Sequence, residues 1–241
     1  VVISIIVPAY NEERLLAATL ESIKRAAGAF TSRGWGYELI VCDNNSTDAT
    51  AEIARRAGAV VVFEPQNQIG RARNTGARAA AGDWLLFIDA DSGPNAALFN
   101  DVAKAVESGR YVAGGSTIRL ETRHALANRG ANLWNWMSKA FTLLAGSFIF
   151  CQAAAFREVG GFDETLYASE EIDLSRKLKR LGRKQNKKLV ILTDHPMPTS
   201  DRKVRLYAMR EHLWVIAKAV FSAKRSLRHR EHCATWYDGR R

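Results

Sequence analysis

Two aspartates one residue apart, Asp89 and Asp91, close an apolar run of five residues, Trp84 to Ile88. Carboxylates at that spacing, leaving a strand, can share a hard cation such as Mg²⁺ or Mn²⁺. Such ions take oxygen ligands and leave positions for substrate phosphates. An acidic turn after a strand is the plain alternative. Asp43 ends a second apolar run, where a carboxylate can accept hydrogen bonds from a nucleobase or ribose. It can equally form an Asx-turn with Asn44, Asn45 and Ser46 beside it. Arg71 and Arg73 stand at a predicted helix start, where a guanidinium can clamp phosphate oxygens or simply pair with a surface acid. Ser169-Glu170-Glu171-Ile172-Asp173 opens another predicted helix. One of Glu170, Glu171 and Asp173 can act as a general base, or all three can serve the helix dipole. His195 follows a strand and can ligate a metal or be structural.

These residues need a scaffold, and the hydrophobic pattern supplies one. Val1 to Val7 is a β-branched run, as in a strand buried on both faces, and Pro8 ends it. Asn11 can cap a following helix with Leu15, Leu16, Leu20 and Ile23 on one side. Strands over 37–42, 59–63 and 84–88 then alternate with helices over about 48–57 and 71–81. That alternation predicts a mostly parallel α/β sheet with helices on both faces. Ligands in such sheets bind at the carboxyl ends of the strands. Asn11-Glu12, Asp43 to Ser46 and Asp89 to Asp91 follow three of them, so three polar loops converge on one edge. Beyond residue 93 the pattern is less regular. A strand over 111–120, a helical segment over 124–145, an apolar stretch over 147–156, a helix over 170–181 and a strand over 188–193 are expected.

The 241 residues carry a formal net charge of +10, with 47% hydrophobic and 25% charged residues. This composition suits a globular α/β domain rather than a disordered chain. Charge is uneven: residues 176–241 hold 19 Lys+Arg against 5 Asp+Glu, leaving the body mildly acidic. The basic end points to an anionic partner or to a solvated helix. Over 204–227 it reads as an amphipathic helix, suited either to an anionic membrane surface or to packing on the enzyme's own core. The three cysteines form no Cys-x-x-Cys pair, and no apolar run reaches spanning length. A reducing, cytoplasmic setting fits, at the inner membrane face if the tail binds lipid. The first residue is Val1 rather than Met, which leaves room for a leader or anchor ahead of it.

In order, the segments 5–12, 41–48, 70–74 and 87–91 resemble those of the family 2 glycosyltransferases. Val159 to Asp163 and Ser169 to Leu174 resemble that family's acceptor-side segments, and the likeness runs from Val1 to Leu181. It implies a GT-A fold: a Rossmann-like nucleotide half over about 1–92 and an acceptor half over about 93–200, with the basic helical extension read from its own pattern over 201–241. It also implies inverting transfer from a uridine- or guanosine-diphosphate sugar, assisted by Mg²⁺ or Mn²⁺. By position, Pro8, Tyr10 and Glu12 line the nucleotide pocket, Asp43 meets the base and Arg73 helps to hold the donor. Asp89 contacts ribose or the metal-bound diphosphate, and Asp91 is the firmer metal ligand. Glu171 falls where the family usually has aspartate and becomes the candidate base. It is one methylene longer, and Glu170 stands beside it as the other candidate. His195 resembles the late histidine that completes some GT-A metal sites. The Gln-x-x-Arg-Trp motif of processive synthases is absent, so single transfers are expected, with a lipid-linked acceptor if the tail docks on membrane.

Two other readings compete. Asp89-Ala90-Asp91-Ser92 after an apolar strand also suits a metal-dependent phosphatase of the haloacid dehalogenase type, although that family's nucleophile lies near the chain start. The basic tail, with Tyr207, Trp214, Trp236 and Tyr237, suits a nucleic-acid-binding protein. No recognised nucleic-acid motif accompanies it.

Overall fold

The computed structural model describes residues 1–120, 122 and 125–199. The expected helix over 204–227, and Cys233, lie outside the described residues. Seven strands form one sheet in the order β3-β2-β1-β4-β6-β5-β7. They are β1 (Val2–Ala9), β2 (Gly36–Asp43), β3 (Val60–Phe63), β4 (Trp84–Ile88), β5 (Tyr111–Leu120), β6 (Phe148–Gln152) and β7 (Lys188–Thr199). Pairings β1–β2, β1–β4, β2–β3 and β5–β7 are parallel, whereas β6 runs antiparallel to both β4 and β5.

Apolar runs on the central strands follow from burial on both faces. Ile3, Ile5 and Val7 of β1, with Leu86 and Ile88 of β4, pack against α1 (Leu16–Thr31) and α4 (Ala96–Glu107). Ile6, Leu85 and Phe87 point the other way, toward α6 (Ala153–Glu158) and α7 (Glu170–Lys184). Alternate residues therefore serve opposite layers, and no position in the run is free to be polar without a partner. Two more helices, α2 (Thr50–Arg56) and α3 (Ile69–Ala79), join the first strands, and α5 (Ala125–Phe141) connects β5 to β6.

Several boundaries differ from the sequence pattern. Asn11 does not cap α1, which begins at Leu16. Asn11 has φ 51°, and its Oδ1 accepts from Thr47 N at 2.8 Å, so its side chain fastens a neighbouring loop instead. Helix α4 was not expected at all. Its signals are nonetheless present: Asn95 caps it by accepting from Leu98 N at 2.9 Å, and Leu98, Phe99, Val102 and Ala103 form its buried side. Helix α5 stops at Phe141 rather than continuing to 145, because Thr142 turns left-handed at φ 49°. The apolar stretch over 147–156 divides into β6 and α6. Strand β7 extends past Pro196 and Pro198 to Thr199, and as the last strand of the sheet it tolerates proline.

Candidate active site

Parallel neighbours β1, β2 and β4 deliver Tyr10 to Glu12, Asp43 and Asp89 to Asp91 to one edge of the sheet. Because β6 is antiparallel, it is the loop before it, not after it, that reaches this edge: Phe148 pairs with Ile88. Strand β7 ends there too, with Thr199 bridged to Ser92 and Pro198 O accepting from Gly93 N at 3.1 Å.

Loops at the nucleotide side are stitched by side chains to one another. Glu12 N donates to Thr50 Oγ1 at 2.8 Å, and Asn11 N donates to Ser46 Oγ at 3.0 Å. Asp43 Oδ1 accepts from Ser46 N at 3.0 Å, three residues on, a cap-like bond that fixes that carboxylate. Asn44 Nδ2 donates to the carbonyls of Glu64 and Gln66, and its Oδ1 accepts from Gln68 N. Pro8 is buried near the end of the central strand β1, and Tyr10 is half-buried. The Asp89-Ala90-Asp91 turn is held from α1, where Thr19 Oγ1 donates to Ala90 O at 2.8 Å.

Arg73 is the centre of the site. It is 2% exposed, and its Nη1 donates to Glu170 at 2.7 Å. Its Nη2 donates to Asp89 at 2.9 Å and to Gly146 O at 2.8 Å. The guanidinium also lies 5.3 Å from the centroid of the Phe162 ring. Burial alone would weaken its hold on the proton, but Asp89, Glu170 and Glu171 outweigh that and keep its pKa above the ordinary value. Both terminal nitrogens thus donate to protein oxygens, and the bond to Asp89 orients that carboxylate.

Glu170 is 3% exposed, and its carboxylate accepts from Arg73 Nη1. Glu171 is only partly buried, and its carboxyl is raised to about 8. Burial is the larger cause, the Glu170 carboxylate the next, and Arg73 pulls in the opposite direction. Asp173 pairs with Lys177 at 2.9 Å. Ser169, which precedes the helix, holds φ 64°, a conformation costly for serine and sustained by its surroundings. Ser175 Oγ donates to Glu171 O and accepts from Leu144 N, joining this helix to the loop that carries Gly146.

His195 does not join the aspartates. Its Nδ1 lies 2.7 Å from Asp101 Oδ2 on α4. Among the described residues no group of three or more His, Cys, Asp or Glu side chains is set to hold a metal. Asp89 and Asp91 nevertheless fit Mg²⁺ or Mn²⁺: both donors are oxygens, and a pair leaves most positions for phosphate and water, as such ions prefer.

Sequence reasoning missed the residues that position these groups. Asn74 exchanges two hydrogen bonds with the backbone of Phe162, at 2.9 and 3.0 Å, tying α3 to the Gly160-Gly161 turn. Gln68 Nε2 donates to the carbonyls of Glu164 and Leu166. An amide after an arginine carries no distinctive signal, and Gly146 contributes only a carbonyl.

The model of glycosyl transferase family 2 matches residues 4–160. An uncharacterised glycosyltransferase of Mycobacterium tuberculosis is 30% identical over 142 residues, 59% of this chain and 56% of that protein. The undecaprenyl-phosphate 4-deoxy-4-formamido-L-arabinose transferase of Edwardsiella ictaluri is 30% identical over 168 residues, 64% of this chain and 49% of that protein. The chain thus spans about half the length of the curated relatives it matches. Among solved structures, the mannosyltransferase PcManGT of Pyrobaculum calidifontis, in complex with GDP-Man and Mn²⁺, superposes with a TM-score of 0.67 at 19% identity. It covers 98% of this chain and 63% of its own. S. aureus TarS 1–349 in complex with UDP-GlcNAc gives 0.65 at 20% identity, covering 99% and 73%. At these identities the two structures establish the shared GT-A fold.

Proposed function

Because this chain belongs to glycosyl transferase family 2, we propose that it moves a sugar from a uridine- or guanosine-diphosphate donor to an acceptor hydroxyl, with inversion. The observation that carries this reading is the buried Arg73 fork, which joins Asp89 on the donor side to Glu170 beside the candidate base. Donor and acceptor chemistry are thereby held against one fixed charge.

Tyr10, Glu12 and Asp43 line the nucleoside pocket, with Pro8 buried at its base. Asp89 and Asp91 would hold Mg²⁺ or Mn²⁺, which when bound would neutralise the diphosphate and make it a better leaving group. Glu171 accepts the proton of the acceptor hydroxyl. The acceptor oxygen forms its bond to the anomeric carbon as the bond to the diphosphate breaks on the opposite face, releasing nucleoside diphosphate. Arg73 and Glu170 position these groups without touching substrate. Such preorganised charge acts most strongly on the transition state.

The relatives support the partners proposed. One neighbour is complexed with GDP-Man and Mn²⁺ and another with UDP-GlcNAc, while a relative is named for undecaprenyl phosphate. A lipid-linked acceptor met at the cytoplasmic membrane face is therefore our reading for this chain. No observation favours the phosphatase or the nucleic-acid alternative. Calorimetry with uridine and guanosine diphosphates, with and without Mn²⁺, tests the donor assignment: metal-dependent binding lost in Asp91→Ala is expected. Equal affinity in a folded variant would remove Asp91 from the site.

A further inference from the structure

Helix α5 presents an apolar stripe to solvent. Leu133, Trp136 and Ala140 follow the i, i+3, i+7 spacing of one helical face with Arg129 at its head, and all four are exposed. Its opposite face is committed to the protein: Ala127, Ala131 and Ser138 are buried, and Asn135 exchanges hydrogen bonds with the backbone of Ile118. Leu133 is 46% exposed, Trp136 60% and Phe141 57%. The Trp136 and Phe141 rings meet edge to face, with centroids 6.5 Å apart, so they form one aromatic surface.

Among the described residues that follow Thr122 on α5 and that border Phe141 on α7, the charges are basic. From Thr122 to Arg157 the sequence contains no Asp or Glu. Lys139 is exposed beside the stripe, and Lys179 of α7 donates to Phe141 O at 2.5 Å. Arg176, Arg180 and Arg183 follow on exposed positions of α7, which has no acid after Asp173. Aromatic and aliphatic groups bordered by Lys and Arg, without acids, match the surface that anchors a helix in a lipid headgroup layer.

Charge decides the occupant. Residues 200–241 of this chain carry 11 Lys+Arg against 4 Asp+Glu and would meet a rim of their own sign. A second copy presenting the same face would meet it likewise. An anionic bilayer is complementary to both the apolar stripe and its rim. We infer that the outward face of α5 is a docking surface for an anionic membrane, and that the acceptor enters the site from it as an amphiphile. The chain leaves α5 at Phe141 and reaches Gly146, an Arg73 partner, five residues later. A docked α5 therefore holds the acceptor side of the site at the headgroup layer. The acceptor half of this inference rests on the transfer reading above; membrane docking does not.

Flotation of the full chain tests it, using vesicles of phosphatidylcholine and phosphatidylglycerol mixed two to one, against phosphatidylcholine alone. Binding to the anionic vesicles at low salt is expected, with a loss of about tenfold or more in Trp136→Ser/Phe141→Ser and in Lys139→Glu. Phe63→Ser, which removes an exposed aromatic from the opposite edge of the sheet, should change nothing. Donor affinity by calorimetry should stay constant throughout. No flotation of the full chain, or equal flotation of the Trp136/Phe141 variant, would overturn the docking surface. So would an equal loss in Phe63→Ser, or a change in oligomeric state in the Trp136/Phe141 variant alone. Flotation without any donor binding would uphold docking and defeat the transfer reading.

Discussion

Glu171 and Glu170 are adjacent in sequence, yet only Glu170 is hydrogen-bonded to Arg73, and we assign them different roles. An acid whose carboxyl sits at about 8 is mostly protonated near neutrality. As a base it must first lose that proton, so kcat/KM should rise about tenfold per pH unit up to about 8 and then level. A pH–rate profile flat from 6 to 9 would remove Glu171 from the role. Glu171→Gln should lower turnover about 10²–10⁴-fold while leaving donor affinity nearly unchanged. The same carboxyl affects stability in a calculable direction. Its folded pKa lies above the ordinary value of 4.5, so the native state holds the extra proton between those two values. Stability is therefore lost as pH rises through that window. Glu171→Gln should melt higher than the parent at about pH 8 and equally near pH 4. Arg73 gives the contrasting case. Arg73→Met leaves two carboxylates facing each other in a buried site and should cost about 3–5 kcal/mol. Arg73→Lys keeps the charge but loses the fork, and should fold yet lose turnover. Denaturant titration and assay separate the two.

At the scale of elements, turns and caps decide which side chains can reach the site. Gly160 and Gly161 both have positive φ, but only Gly161 is crowded: a Cβ there would stand 2.7 Å from Asn74 Oδ1. That oxygen already accepts from Phe162 N, so it cannot yield without breaking the clasp between α3 and this turn. Gly161→Ala should destabilise by about 2–4 kcal/mol, and Gly160→Ala, with open space around it, by about 1 kcal/mol. Equal melting temperatures for the two variants would show the clasp to be unimportant. Elements of the first ninety residues were legible in sequence because double burial forces continuous apolar strands between polar turns. The α4 signal, by contrast, was an ordinary amphipathic face after Asn95. The Asp43–Ser46 bond and the Arg73 fork were only half legible. Residue type announces that a carboxylate or guanidinium can act, whereas the partner that occupies it is three residues on for Asp43 and 97 residues on for Arg73 with Glu170.

For the whole molecule, one sheet runs through both the nucleotide half and the acceptor half proposed from the sequence. Strand β4 is paired on one side by β1 and on the other by β6, which comes from the second half. Cutting at residue 92 would expose the backbone edge of β4 and the apolar surface that Phe148 and Phe150 cover. A fragment of residues 1–92 should therefore be poorly soluble or molten, with near-ultraviolet dichroism lost. Residues 1–199, where described, should unfold as one unit in the full chain, with the same midpoint by Trp fluorescence and far-ultraviolet dichroism. Two separated transitions within the sheet would argue for independent halves.

The reversed direction of β6 has a practical corollary. Strands β5 and β6 are antiparallel neighbours, with Gly115 opposite Ile149 and Ala113 opposite Cys151. The segment between them, 121–147, consequently leaves and re-enters the sheet at adjacent points on one edge. In topological terms it is an enlarged hairpin loop that happens to contain α5. A loop of this kind can be exchanged between related enzymes as a cassette, with its two anchor points unmoved and the nucleotide half untouched. The stipulation is a glycine at 146, where a Cβ would come within 3.1 Å of the Arg73 guanidinium. Chimaeras keeping Gly146 and a partner for Ser175 Oγ should retain the parent's donor while adopting the other enzyme's acceptor.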